Sequence, residues 1–501
     1  MRLNVTMPTM NAPVQYRPAG TLSASTALLP YRGPWTPRLA AHLLRRAGFG
    51  GSPADVARFA ALTPDRAVDA LIHYPKDSGV SGRPDDLGDD YDALQRRVAE
   101  LQKDGTDPDA LRDARAALGL SRRHTLAAMQ RWWLERMVRT QAPLQEKMTL
   151  FWHGHFTSAL VKGISAREMI DQNWLYRSNA LGNVRELAVA ITEDPAMLKF
   201  LDNARSVKEH PNENFARELM ELFTLGIGNY TESDVREAAR ALTGNTVRGA
   251  AQGGGYTFAV RRHDFGTKTV LGATGQFDGK DVVEIIFRQP AASRFIAAKL
   301  LDFFVYNEPE PELVEGVAEL LRRYDFQTAP VMSQLLRSNV FFSDRAYRAL
   351  VKSPVEFVVG AHQLYGIDQV NDEALAALNR MGQVLFEPPS VKGWDGGAAW
   401  LNSQTVLARE NYANYLVAGQ QMMQTRSWLV DGVPASAAAA SSKLVGTILL
   451  GDASPASEAR LQSYLDGEGT SALGALSVEN FEERMRGAAY LTMAMPAYQL
   501  S

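Results

Sequence analysis

Four short stretches of the 501-residue chain hold the residue types that chemistry needs. The richest is HPNENFARELMELFTLG, residues 210–226. Glu213, Arg217, Glu218 and Glu221 fall on one predicted helix, with Asn212 and Asn214 at its start. Paired acids beside a cation are one way to tune a general acid and base. The same spacing also makes a salt-bridged structural helix, since Arg217 is four residues from both Glu213 and Glu221. FWHGHF, residues 151–156, adds His153 and His155. On a helix these two lie about 200° apart, so they share a metal only if the helix breaks, and Gly154 offers the break. His155 also falls on a stripe with Leu144, Met148 and Phe151, where the commoner use of a histidine is a core bond to a carbonyl.

The third stretch, RRHDFGTKTVLG, clusters His263, Asp264 and Lys268 around a turn that Gly266 permits. Such residues usually bond their own backbone, and the alternative is a loop that carries them into a neighbouring cleft. The fourth, EPPSVKGWDGGAAWLN, offers Lys392, Trp394 and Trp400 as a platform for a sugar ring or a peptide. The competing reading is a flap that packs its tryptophans into the core.

Two functions follow from these stretches. One is a hydrolase or lyase acting on a polymer, a glycan or a peptide. There Glu213 or Glu218 is the acid–base carboxylate and His153 or His155 its partner. Arg217 stabilises charge, and His263 and Asp264 complete the cleft. Asn212, Asn214, Lys268, Lys392, Trp394 and Trp400 hold the substrate. The other is a non-catalytic helical protein whose polar networks keep helices in register and which presents a surface to a partner. The discriminating geometry is whether His153, His155, Glu213, Glu218 and His263 converge on an open cavity. The 213–221 helix is expected to be central and mostly buried, with Arg217 in a buried network.

Composition narrows the rest. There is no cysteine, so thiolate catalysis and cysteine-bound metals are excluded, and only eight histidines remain for any metal site. No metal and no cofactor is expected. A net charge of -3 gives no electrostatic reason to expect nucleic acid. No run is apolar for long enough to cross a membrane, and the first residues lack the apolar stretch of a secretory signal. The reading is therefore cytoplasmic. Walker, GxGxxG, HExxH and GxSxG patterns are absent.

The elements that must position these residues read as helices. TPRLAAHLLRRAGFG, SPADVARFAAL and TPDRAVDALI each open with Thr or Ser and then Pro, an N-cap followed by N1. Residues 74–90 read as an acidic loop. Two polar helices are expected near 91–103 and 108–118, then two amphipathic ones from His124 to Phe156, broken at TQAP. Thr231 and Asp234 form a capping-box pair, and Gly244 stops that helix. YTFAV and KTVLG carry the only strand signal and predict one small hairpin near 255–271. The fold class is all-α with that hairpin. The division is a flexible arm over 1–35, a main helical domain over 36–432 and a C-terminal helical segment over 433–501, with a linker or helix start at 433–442.

HLLRRAGFG, FWHGHF, PNENFARELMELFTLG, YTESDVREAARALTG, HDFGTKTVLG, KSPVEFVV and PPSVKGW, in that order, resemble a large bacterial family catalogued as domain of unknown function 1800. The resemblance runs from about Thr36 to the C-terminus. It implies a mainly helical single unit, export for many relatives, and no particular reaction. Two positions depart from it: Phe223 stands where many relatives carry His, and Asn245 where Trp is usual. If that histidine is a ligand in relatives, Phe223 argues against a metal site here.

Overall fold

A computed structural model describes residues 24–75, 80, 82–84, 89–105, 107–161, 163–248, 254–419, 434, 436–468, 475–477 and 480–501. Over these residues the chain is mainly helical, with two small antiparallel two-stranded sheets. The expected arm, acidic loop and linker lie partly outside the described residues. What is described of the arm docks: Tyr31 N donates to Arg337 O at 2.7 Å, and Pro30 bridges Ser338. No helix among the described residues is long and apolar enough to cross a membrane.

Helix starts follow the caps. Thr36, Ser52 and Thr63 each accept a backbone N–H of the first turn, and proline follows each. The cap satisfies a donor the helix cannot, and proline gives up an N–H that would be orphaned anyway. Thr231 and Asp234 form the reciprocal box at the head of Glu232–Ala241. One expected break is absent. The helix from Pro108 runs unbroken to Arg139, through Gly119. A lone glycine costs only about 1 kcal/mol in a helix, and the buried Trp133, Leu134 and Met137 anchor the far half.

The strands pair differently from the expected hairpin. Tyr256–Phe258 pairs back with Asn245–Val247, and Lys268–Val270 pairs forward with Ala273–Gly275. YTFAV and KTVLG are both strands, but not each other's partner. The segment between them is occupied by the Val260–Arg262 turn and the His263 loop.

Two large apolar clusters form the core. Helix Pro143–His155 contributes Leu144, Met148, Phe151 and Trp152 to the first and Leu150 to the second. Its last turn carries FWHGHF, so these histidines sit between the two clusters.

Candidate functional site

Both FWHGHF histidines are fixed to a backbone group. His153 is 1% exposed, and its Nε2 accepts the Phe386 N–H at 3.2 Å. The rings of Trp133, Phe386 and Trp394 stand around it at 5.2, 5.5 and 5.6 Å. His155 Nε2 donates to the Phe223 carbonyl at 2.9 Å, and its ring stacks on Phe151. The two side chains leave the helix in different directions, as their spacing requires, and the helix does not break at Gly154. Burial pushes His153 down to about 3. Burial, then Lys299, pushes His155 to about 3 as well. Both are neutral at any ordinary pH.

The 213–221 helix is divided. Phe215, Ala216, Leu219 and Met220 are buried on its inner side. Its charged residues are not, contrary to the expected buried network. Arg217 grips Glu232 bidentately at 2.6 and 2.7 Å and lies 3.6 Å from Glu213, all at the surface. The bidentate bond raises the Arg217 pKa further. Glu213 and Asn214 are exposed, while Asn212 caps the helix and donates to Leu201 O at 3.1 Å. Glu218 is half-buried. Burial and then Glu221 raise its carboxyl, with Arg217 opposing. Glu221 accepts from the Tyr230 hydroxyl.

The His263 loop is stapled to the neighbouring helix. His263 Nδ1 bonds the Thr243 carbonyl at 2.8 Å. Asp264 takes Arg240 Nε at 2.7 Å and its own Gly266 N–H at 2.7 Å. Arg240 holds the Asp264 carboxyl below its usual range. Lys268 is buried and donates to the carbonyls of Asp264 and Gly266.

The 387–402 loop packs on the end of FWHGHF. Gly393 has φ +87, and a Cβ there would sit 2.5 Å from the Gly154 carbonyl oxygen. Trp394 is half-buried against His153, whereas Lys392 pairs with Asp395 in solvent at 2.9 Å. Trp400 closes over Gly396 and accepts Thr405 Oγ1 at its carbonyl.

Three of the four stretches therefore meet: FWHGHF touches the end of the 213–221 segment through Phe223 and the 387–402 loop through Gly393 and Trp394. The His263 loop is held apart on helix Glu232–Ala241. Glu213 is paired through Arg217 at the surface and does not join the histidines. Phe223, where the resemblance leads one to expect His, presents its ring 6.3 Å from His155. Among the described residues no group of three or more His, Asp or Glu is arranged to hold a metal ion. A groove of ≈ 280 Å³ opens nearby, lined by Leu225, Asn229, Arg294, Phe295, Ala298 and Val314. Phe295 stands between it and His155, with ring centroids 6.1 Å apart.

Sequence reasoning missed a buried ion network. Glu146 is fully buried and accepts Arg136 Nε at 2.7 Å, Arg177 Nε at 2.7 Å and Nη2 at 2.9 Å, and Trp133 Nε1 at 3.0 Å. Burial pushes the Glu146 carboxyl up, but Arg177 and then Arg136 outweigh it and hold it below its usual range. The Arg177 guanidinium also lies 4.8 Å from the Trp174 ring. The available signal was that PLQEKMTLFW has no distinct polar face to turn to water, so its charged members are buried with the rest.

These features define a class: a mainly helical protein whose sequence motifs lie where helices and loops are locked to one another. The match to the family described as "Protein of unknown function (DUF1800)" spans residues 42–500, and the chain belongs to that family. No curated protein and no solved structure matches it.

Proposed function

We propose that the chain is a non-catalytic binding protein that engages a protein partner. The observation that carries this reading is the use of His153 and His155. Both are buried and neutral, and each spends its Nε2 on a backbone bond that ties a loop to the helix, which is an anchoring use and not that of a general acid or base open to a substrate. The polar residues of the motifs serve to fix helix ends and loops.

The surface that fits a partner lies just after the 213–221 helix. Ile227 is 81% exposed at the tip of the turn. Asn229 braces that turn by donating to Leu225 O at 3.0 Å, and Gly226 lies against the Phe295 ring. A rigid apolar tip beside a groove with room for one large side chain suits an aromatic anchor from a protein partner. A photo-crosslinking residue at position 227, introduced in the producing cell, tests this against the same residue at the exposed Leu120. One discrete adduct at 227, absent at 120 and lost on Arg294→Glu, is the expected result. Indistinguishable labelling at the two positions would sink it.

The polymer-cleaving reading keeps one support, the raised carboxyl of Glu218 beside Glu221. In it the acid–base pair is two carboxylates and no histidine takes part. Cleavage of a glycan or peptide substrate by the wild-type chain, abolished in Glu218→Gln with unchanged melting, would favour it over binding alone.

A further inference from the structure

Two of the motifs are left unused by the binding surface. HLLRRAGFG places Arg45 and Arg46 at the end of helix Pro37–Arg46, and KSPVEFVV opens with Lys352. In the fold these come together with Lys147, Arg348 and Arg409, and all six cations are buried. Lys147 lies 3.4 Å from the Arg45 carbonyl, and Arg409 Nη2 donates to the Lys352 carbonyl at 2.7 Å. Two carboxylates answer them. Glu356 pairs with Lys147, and Asp452 lies 2.7 Å from Arg348 Nε. Among the described residues none of Arg45, Arg46, Lys352 or Arg409 is in an ion pair.

The donors do not balance either. Arg46 Nη2 reaches the Ala346 carbonyl at 2.6 Å, and Arg409 Nη1 reaches Gln499 Oε1 at 3.3 Å. Arg45 Nε and Nη2, Arg46 Nε and Nη1, and Arg409 Nε are buried without a hydrogen-bond partner. The rings of Tyr347, Phe357 and Tyr498 lie 5.6, 5.1 and 3.7 Å from Arg45, Arg409 and Lys352, and they answer part of the charge but none of these N–H groups. Arg45 is 8% exposed, and Arg46 and Arg409 1% each. Burial and the neighbouring charges of Arg348, Arg45 and Arg409 hold the Lys352 ammonium far below its usual range, with Glu356 opposing. Burying one unpaired charge is already very unfavourable, and here several share one site. A trapped water would satisfy an N–H but leave the charge. An anion does both, and guanidinium forks match the oxygens of a tetrahedral oxyanion.

We propose that this cluster is the seat of a small oxyanion of the phosphate class, bound through the unpartnered N–H groups of Arg45, Arg46 and Arg409, with Lys352 taking up a proton as the anion arrives and donating to it. Lys352 feels the charges of Arg348, Arg45 and Arg409 together, which gathers residues from helices Pro37–Arg46 and Ser403–Ala418 around the segment that leads into helix Pro354–Tyr365. It is separate from the Ile227 surface, so either assignment can fail alone. The anion can be free phosphate or sulfate, or the phosphoryl end of an organic ester.

The test needs only the intact chain. Protein washed free of phosphate and sulfate is denatured, and the released small molecules are measured by ion chromatography and total phosphorus. About one equivalent per chain is expected if the forks close on one anion. Inorganic ion points to a free source, and phosphorus visible only after ashing points to an ester. A second arm adds inorganic phosphate or sulfate at about 10 mM against chloride of equal ionic strength. A specific rise in melting temperature of about 2 °C is expected, because a ligand of the folded state stabilises it by mass action. Lys352→Gln and Arg45→Gln should each lose both signals. If Arg45→Gln does not fold, Lys352→Gln and the wild-type release still decide. No released oxyanion together with no specific rise overturns the proposal. So does release from the folded variants equal to that from the wild type.

Discussion

His153 and His155 make opposite bonds, one accepting an N–H and the other donating to a carbonyl, and each ties a loop to the same helix turn. Their burial has a pH consequence. Unfolded, an imidazole takes up a proton below about 6.5. Folded, these two do so only near 3. Between those values the unfolded chain binds more protons, so stability is full above the unfolded pKa and falls as pH drops toward 3. Each contributes a slope of up to about 1.4 kcal/mol per pH unit. Asp194, fully buried and pushed up to about 7, acts the other way over part of the range, so the readout is a difference between variants. His155→Asn keeps a donor for Phe223 O and removes the titration. Its melting temperature should fall less steeply from pH 7 to pH 4 than that of the wild type, and parallel curves would refute the assignment.

Charged residues divide just as sharply by surroundings. Arg177→Met takes two of the four hydrogen bonds from the buried Glu146, leaving Arg136 and Trp133, and should cost about 3 kcal/mol, the lower end for breaking a buried pair. Arg217→Met removes a solvated bond and should melt no lower than Arg97→Met, an exposed control. Denaturant titration of the three variants checks both statements, and equal loss in Arg177→Met and Arg97→Met would contradict them. The sequence marked segments by their charge but not by which of those charges are buried. Glu213, Arg217 and Glu218 drew attention as a dense charge cluster, yet density says nothing about which side of the helix meets water. Glu146 was passed over although its helix shows no distinct polar face, whereas Arg45 and Arg46 end a strongly one-sided helix and are buried all the same.

Among elements, helix starts were legible because a cap is local chemistry: Thr36, Ser52, Thr63 and Thr231 each satisfy a donor three residues on. Strand partners were not, since β-branched residues favour an extended chain without naming its neighbour. That FWHGHF and the 387–402 loop lie together was expected from their residue types, but the contact that joins them was not legible, because the two are far apart in sequence. It rests on Gly393, where both a positive φ and the Gly154 carbonyl forbid a side chain. Gly393→Ala should lift the loop, lower the melting temperature, and red-shift the tryptophan emission as Trp394 leaves His153. Gly382→Ala is the control, with φ +90 but open space around its Cβ. If both variants melt alike and neither shifts emission, the close approach is not what holds the loop.

At the scale of the whole molecule, the question is whether residues 436–501 are a separable addition. Their apolar side chains share one cluster with Val355, Phe357, Val358, Tyr365 and Leu385. Val351 bridges Leu500, Lys352 N donates to Gln499 O at 2.9 Å, and Arg348 donates to Leu449 O at 3.0 Å. Arg348 holds a positive φ of 51, which a non-glycine residue adopts only when its surroundings impose it. Those surroundings are the carbonyls of 449, 497 and 500 together with Asp452. Removing 436–501 therefore uncovers one side of a cluster, frees the strained Arg348, and leaves another cation of the buried group without its acid. The shortened chain should lose its cooperative melt and bind a dye for exposed apolar surface, as states with unfixed packing do. A shortened chain that melts sharply near the temperature of the full one would instead make the segment an independent module, and the second apolar cluster would then have to be two cores rather than one.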